Sequence, residues 1–159
     1  MDDLTLAQLE AFIVAAKAAT YVGAGKKCLS YRPASHDLQF HDGPFSYLDS
    51  YFGGADFIGQ EVVYYDGAPV WAMNYYGRIL DPARIAAADA GQVIQQSLSK
   101  MYEQGRFLGG WEHSTSLGTY VDTNEGDIAC FTGQEWIARE VHGEAVRVYE
   151  LVYHGGLIK

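Results

Sequence analysis

Two glutamates, Glu61 and Glu135, each follow a Gly-Gln pair, and His154 lies on the last strand-like segment of the chain. A buried carboxyl group has a raised pKa and can give or take a proton near neutrality. With an imidazole beside it, such a group would serve a cofactor-independent cyclase, isomerase or hydrolase. Glu61, Glu135 and His154 are therefore the candidate catalytic residues. Trp71, Asn74, Tyr76 and Trp111 could line a cup for a flat or apolar ligand. Arg32 and Asp37, in Arg32-Pro33-Ala34-Ser35-His36-Asp37, would anchor that ligand or lock the loop. The Ser-His-Asp run has the residue types of a triad, but adjacent side chains of an extended segment point to opposite faces and cannot relay a proton.

Composition removes several classes. The net charge of −9 argues against a phosphate-backbone binder, which needs clustered Lys and Arg. No apolar run approaches membrane-spanning length, and the opening MDDLTLAQLE lacks the basic and apolar regions of a signal peptide. Cys28 and Cys130 form no CxxC pair, so reduced thiols and a cytoplasmic location are expected. The five histidines are dispersed and no pair has metal-site spacing, so neither metal nor cofactor is expected.

The elements that must position these residues can be read from turns and periodicity. Thr5-Leu6-Ala7-Gln8 fits a capping box for a helix over 5–18, ended by Gly23 and Gly25. Short strands are expected over 36–41 and 45–52. Asp66-Gly67 between two apolar runs predicts a hairpin over 57–76, because both residues suit a type I′ turn. Asp81-Pro82 would open a second helix, with a break at Gly91 and an end at Gly105. Strands near 107–121 and 126–131 and a hairpin over 131–154 complete the chain.

The two hairpins resemble one another. Phe57-Ile58-Gly59-Gln60-Glu61 aligns with Phe131-Thr132-Gly133-Gln134-Glu135, and Val70 to Leu80 aligns with Val148 to Ile158. Equal turns, at Asp66-Gly67 and His142-Gly143, predict Glu61 opposite Ala72 and Glu135 opposite Glu150. Val62, Tyr64, Trp71, Met73 and Tyr75, with Trp136, Tyr149, Leu151 and Tyr153, would then form the apolar face. Glu61, Asn74, Tyr76, Glu135, Glu150 and His154 would share the other, where Glu135, Glu150 and His154 also have the donor types of a metal site. The expected architecture is a single α+β domain over 1–159. It has a curved antiparallel sheet or open barrel, two helices on one side, and pseudo-duplicated halves of about 1–80 and 81–159.

The motifs R-P-x-S-x-D-L (Arg32 to Leu38), G-x-E-x-V (Gly59 to Val63), P-V-W-x-M-N-Y-Y-G-R (Pro69 to Arg78) and Y-H-G-G-x-I-K (Tyr153 to Lys159) run through most of the chain. In them it resembles an uncharacterised bacterial domain family often found C-terminal to Xre-type helix-turn-helix domains. That resemblance implies a stand-alone relative of a regulator's small-molecule sensor, binding no nucleic acid by itself, and carries over no catalytic residues. Three functions stay open: a small-molecule-binding domain, a Glu/His enzyme, and a partner-binding module that forms a homodimer through edge strands.

Overall fold

Thr5 caps the first helix as its sequence predicts. Its side chain accepts from the Gln8 N–H at 3.2 Å, and Gln8 Oε1 accepts from the Thr5 N–H at 2.9 Å. In the computed structural model, which describes residues 4–22 and 27–159, helix α1 spans Leu6–Lys17 and continues into a π-helical turn, Ala18–Val22. Gly23 and Gly25, the expected helix stop, lie outside the described residues.

Four strands follow: β1 (His36–Asp42), β2 (Phe45–Gly53), β3 (Phe57–Tyr65) and β4 (Ala68–Ile79). Helix α2 (Ala87–Tyr102) comes next, and then β5 (Trp111–Thr115), β6 (Gly118–Asp127), β7 (Cys130–Val141) and β8 (Glu144–Leu157). The eight strands form one antiparallel sheet in the order β1-β2-β3-β4-β8-β7-β6-β5, and the sheet does not close. Each helix thus precedes a four-strand meander, and the last strands of the two meanders pair at the centre. Helix α1 packs on β1 and β2, helix α2 packs on β5 and β6, and the helices touch each other. This is the α+β fold with a curved sheet and two helices that the sequence suggests.

Asp81-Pro82 forms a turn rather than the start of α2. The Arg84 and Ile85 N–H groups bond the Asp81 carbonyl, and the helix proper starts after Ala86. It runs through Gly91 without a break and ends before Gly105, whose φ of 73° only glycine adopts at little cost.

The hairpin register corrects the expected faces. Both turns form where expected, at Asp66-Gly67 and His142-Gly143, all four residues having positive φ. Each hairpin also carries a β-bulge. Val63 pairs with Trp71 but Tyr64 with Pro69, leaving Val70 as the extra residue; Ile137 pairs with Tyr149 but Ala138 with Arg147, leaving Val148. The Val70 carbonyl accepts from Ile158 N–H and the Val148 carbonyl from Leu80 N–H, which ties each bulge to the other meander. A bulge shifts register by one residue, and one residue exchanges the faces. Glu61 therefore lies opposite Met73, Glu135 opposite Leu151, and Glu150 opposite Trp136. The two glutamates turn inward with Trp71, Met73, Tyr75, Tyr149, Leu151 and Tyr153. Val62, Tyr64 and Trp136 stand on the outer face with Asn74, Tyr76, Glu150 and His154, and the Arg147 guanidinium covers the Trp136 ring at 3.8 Å.

Gly59 lies opposite Tyr75 and Gly133 opposite Tyr153. A Cβ on Gly59 would sit 2.4 Å from the Tyr75 hydroxyl, and one on Gly133 would sit 2.2 Å from the Tyr153 ring. Each glycine lets a tyrosine lie flat across the neighbouring strand. Gly133→Ala should cost about 1–3 kcal/mol of stability by forcing Tyr153 aside. Gly91→Ala, with nothing within 4 Å of its new Cβ, should stabilise α2 by about 0.5–1 kcal/mol. Urea unfolding of both variants checks the pair.

Candidate functional site

Four acids point into the space between the sheet and the helices. Asp49 on β2 is directly opposite Glu61 on β3, and Asp122 on β6 is directly opposite Glu135 on β7. Exposure is 2% for Asp49 and Glu61, 5% for Asp122 and 6% for Glu135. Ionised side by side, such pairs repel, and each buried charge loses its hydration. Three features of the chain offset this cost.

The first is tyrosine. Tyr75 donates to Asp49 Oδ1 at 2.6 Å, and Tyr153 donates to both Asp122 oxygens at 2.9 and 3.1 Å. Tyr149 donates to Glu135 Oε1 at 3.0 Å, and Tyr120 donates to Glu135 Oε2. The two glycines make the Tyr75 and Tyr153 contacts possible. The second is the one buried cation among the described residues. Lys17, at the last turn of α1, places Nζ 2.6 Å from Glu61 Oε2 and 5.5 Å from the centre of the Phe107 ring. The third is the proton. Burial, then the charge of Glu61, pushes Asp49 up to about 7 against the pull of the Tyr75 hydroxyl and Lys17. Burial also pushes Glu135 up to about 7, opposed by its two tyrosine bonds and reinforced by Asp122. Asp122 is raised by burial, against hydrogen bonds from Tyr153 and Asn124. Burial and the neighbouring carboxylates hold Tyr47, Tyr75, Tyr102, Tyr120 and Tyr149 well above the ordinary tyrosine range, so they remain donors.

A cavity of about 50 Å³ lies among these groups. Glu61, Asp122, Glu135 and Lys17 supply its polar wall; Met73, Met101, Leu98, Leu151 and Phe107 supply the apolar one. Tyr21, carried by the π-helical turn, and Tyr102 of α2 close it from the helix side. A volume of this size holds a water or two, or one small head group. The Lys17 ammonium is the close partner of Glu61 Oε2, and the buried Tyr47 hydroxyl has no hydrogen bond. Among the described residues no group of three acids, histidines or cysteines could hold a metal ion.

The remaining sequence candidates lie elsewhere. Trp71 is fully buried beneath the cup, donating to the Ile128 carbonyl at 3.1 Å and stacked on Phe131. Asn74 and His154 face each other across β4 and β8 on the outer surface, beside Tyr76, in a shallow groove of about 260 Å³. His154 is thus on the opposite side of the sheet from Glu61 and Glu135, and the expected Glu135–Glu150–His154 trio does not form. Glu150 instead pairs with Arg78 at 2.8 Å. Trp111 on β5 bonds the Ser97 carbonyl of α2 at 2.9 Å, away from the cavity. Arg32 and Asp37 lock their loop: Arg32 donates to the Ser50 carbonyl at 2.8 Å, and Ser50 donates to Asp37 Oδ1 at 2.6 Å. Burial of Asp37 is outweighed by bonds from Ser50, the Tyr31 N–H and Ser35 and by the charge of Arg32, so its pKa is lowered. Cys28 and Cys130 are both free.

Sequence reasoning missed Asp49, Asp122, Lys17 and the tyrosines. A signal was present: Tyr47-Leu48-Asp49 recurs as Tyr120-Val121-Asp122.

The fold and cup define an α+β domain with an acid and tyrosine interior under two helices. No described helix is long and apolar enough to cross a membrane. Residues 49–158 match DUF5680, a domain of unknown function, and the chain belongs to that family. The matched stretch contains all four acids, whereas Lys17 and Tyr21 precede it. No curated protein and no solved structure matches the chain.

The raised carboxyls set a pH dependence. Unfolded, Asp49 and Glu135 titrate near their ordinary values of 3.8 and 4.5; folded, both titrate at about 7. The folded state holds extra protons between those limits, so their contribution is fully present below about pH 4 and is lost as pH rises through 7. Chemical denaturation from pH 4.5 to 8 should show stability falling with pH. Glu135→Gln should remove part of that slope, since the amide cannot ionise.

Proposed function

We propose that this chain is a small-molecule-binding domain that takes its ligand into the cup between α1, α2 and the concave sheet. The observation that carries this reading is the cavity itself, which three buried carboxyls, Glu61, Asp122 and Glu135, line together with Lys17. Apolar walls with a few convergent polar groups are the usual make-up of a ligand site. The resemblance to domains behind Xre-type helix-turn-helix regions supports a sensing role in a bacterial cytoplasm. The matching order of the two meanders, with Tyr-x-Asp and Gly-Gln-Glu in each, supports a duplicated origin for the cup.

Catalysis is the second reading, favoured by Glu135 alone. Its carboxyl is pushed up to about 7 at the wall of the cavity, where it could act as general acid or base. His154 has no part in that version. An outer-face row of exposed Ile58, Tyr76 and Val152 would serve the partner-binding reading as a homodimer contact.

The chain has three methionines, and Met73 and Met101 both line the cavity. Methyl-labelled methionine therefore gives two signals from inside the cup. A metabolite-fragment screen read by these signals should find compounds that shift both. Compounds that bind but leave both unmoved, or a screen that moves neither, would refute the cup as the ligand site.

A further inference from the structure

Resting on the cup as ligand site, we infer that its ligand is an organic cation, an alkylammonium whose head group enters the cavity between Glu61, Asp122 and Glu135. Charge is the first reason. Among the described residues these four carboxyls share one buried ammonium, so with all four ionised three of their negative charges are uncompensated. The second reason is the Glu61 carboxylate: it lines the cavity with the Lys17 ammonium as its close partner, 2.6 Å from Oε2, and the buried Tyr47 hydroxyl has no hydrogen bond. An ammonium brings three N–H donors to a wall that holds three carboxyls and one lysine. An anion would meet three carboxyls there, and a neutral ligand would leave the charge imbalance untouched.

Shape separates the organic cation from a metal ion. The acids are spread over β2, β3, β6 and β7, and no three side chains of ligating type converge among the described residues. Phe107, Tyr21, Tyr102 and the methionines complete the lining, and aromatic faces favour alkylammonium groups. Lys17 shows the mode of binding within the chain. Its own alkylammonium is lodged between the Glu61 carboxylate and the face of Phe107. Lys17 also draws down the carboxyls of Asp49, Asp122 and Glu135, so it is the resident counter-ion of the whole cup.

Protonation then gates binding. The groups around the cavity are Lys17 from α1, Tyr21 from the π-helical turn, Tyr102 from α2, and Asp49, Glu61, Tyr75, Tyr120, Asp122, Glu135, Tyr149 and Tyr153 from the sheet, with Tyr47 behind Glu61. These tyrosines stay neutral across the physiological range, so the carboxyls carry the change. Below pH 6 Asp49 and Glu135 are mostly protonated; near pH 8 they are ionised and the cup attracts a second cation.

The test uses n-propylammonium, n-propanol and propionate on the full chain at matched ionic strength, read by the Met73 and Met101 methyl signals and by Tm. At pH 8, n-propylammonium should shift both methyls and, at about 100 times its Kd, raise Tm by about 5–10 °C. Its affinity should fall about tenfold at pH 6, as a required carboxyl with a pKa of about 7 becomes protonated. Glu61→Gln should weaken it, and Lys17→Met should strengthen it by removing the resident charge. Equal shifts with propanol or propionate would overturn the cation assignment while leaving a ligand site in the cup. Failure of all three probes would overturn the cation assignment as well, with the fragment screen deciding the cup separately. A shift retained in full by Glu61→Gln would place any binding outside the site.

Discussion

Burying Asp49, Glu61, Asp122 and Glu135 in one interior is the constraint around which the rest of the molecule is arranged. A carboxylate removed from water without partners loses far more free energy than a marginally stable domain can spare. Removing the acids would leave an ordinary aromatic core. Their retention demands donors, and the chain supplies tyrosine hydroxyls to three of them and the Lys17 ammonium to the fourth. Where donors fall short, the proton itself remains bound, as the raised carboxyls of Asp49 and Glu135 record.

The backbone serves the same end. Tyr75 and Tyr153 are cross-strand partners at the junction of the two meanders, and each reaches outward over a glycine to an aspartate of its own half. Without the bulges at Val70 and Val148, Glu61 and Glu135 would lie on the face of the sheet opposite to Trp71, Tyr75, Tyr149 and Tyr153. The bulges also fix the seam, because their carbonyls bond the start of the other meander's exit segment. From the helix side, α1 delivers Lys17 and its π-helical continuation delivers Tyr21. Such turns are rare and recur where a helix must present side chains to a functional site.

Much of this was legible in the residues. Asp66-Gly67 and His142-Gly143 located both turns, the Thr5–Gln8 box located the first helix, and the recurrence of Gly-Gln-Glu identified the two inward glutamates as a matched pair. Sidedness was not legible from the turns alone. Counting from them placed Glu61 and Glu135 beside Asn74 and His154, because a bulge adds one residue and no turn residue announces it. The adjacent large apolar pairs Val70-Trp71 and Val148-Tyr149 were the available clue, since an uninterrupted half-buried strand alternates. Lys17 carried no signal at all. A lysine ending an amphipathic helix normally reaches solvent, and only the convergence of four acids draws this one inside.

The central claim is that the cup holds acids in mixed protonation around one lysine. Carboxyl-carbon NMR titration of the labelled protein tests it most directly, because each side-chain carboxyl reports its own proton. Two buried carboxyls, assigned to Asp49 and Glu135, should titrate near pH 7, well above every exposed acid. If all Asp and Glu carboxyls instead titrate below about pH 5, in the ordinary range for exposed acids, the interior is not an acid cup and the account built on it is wrong.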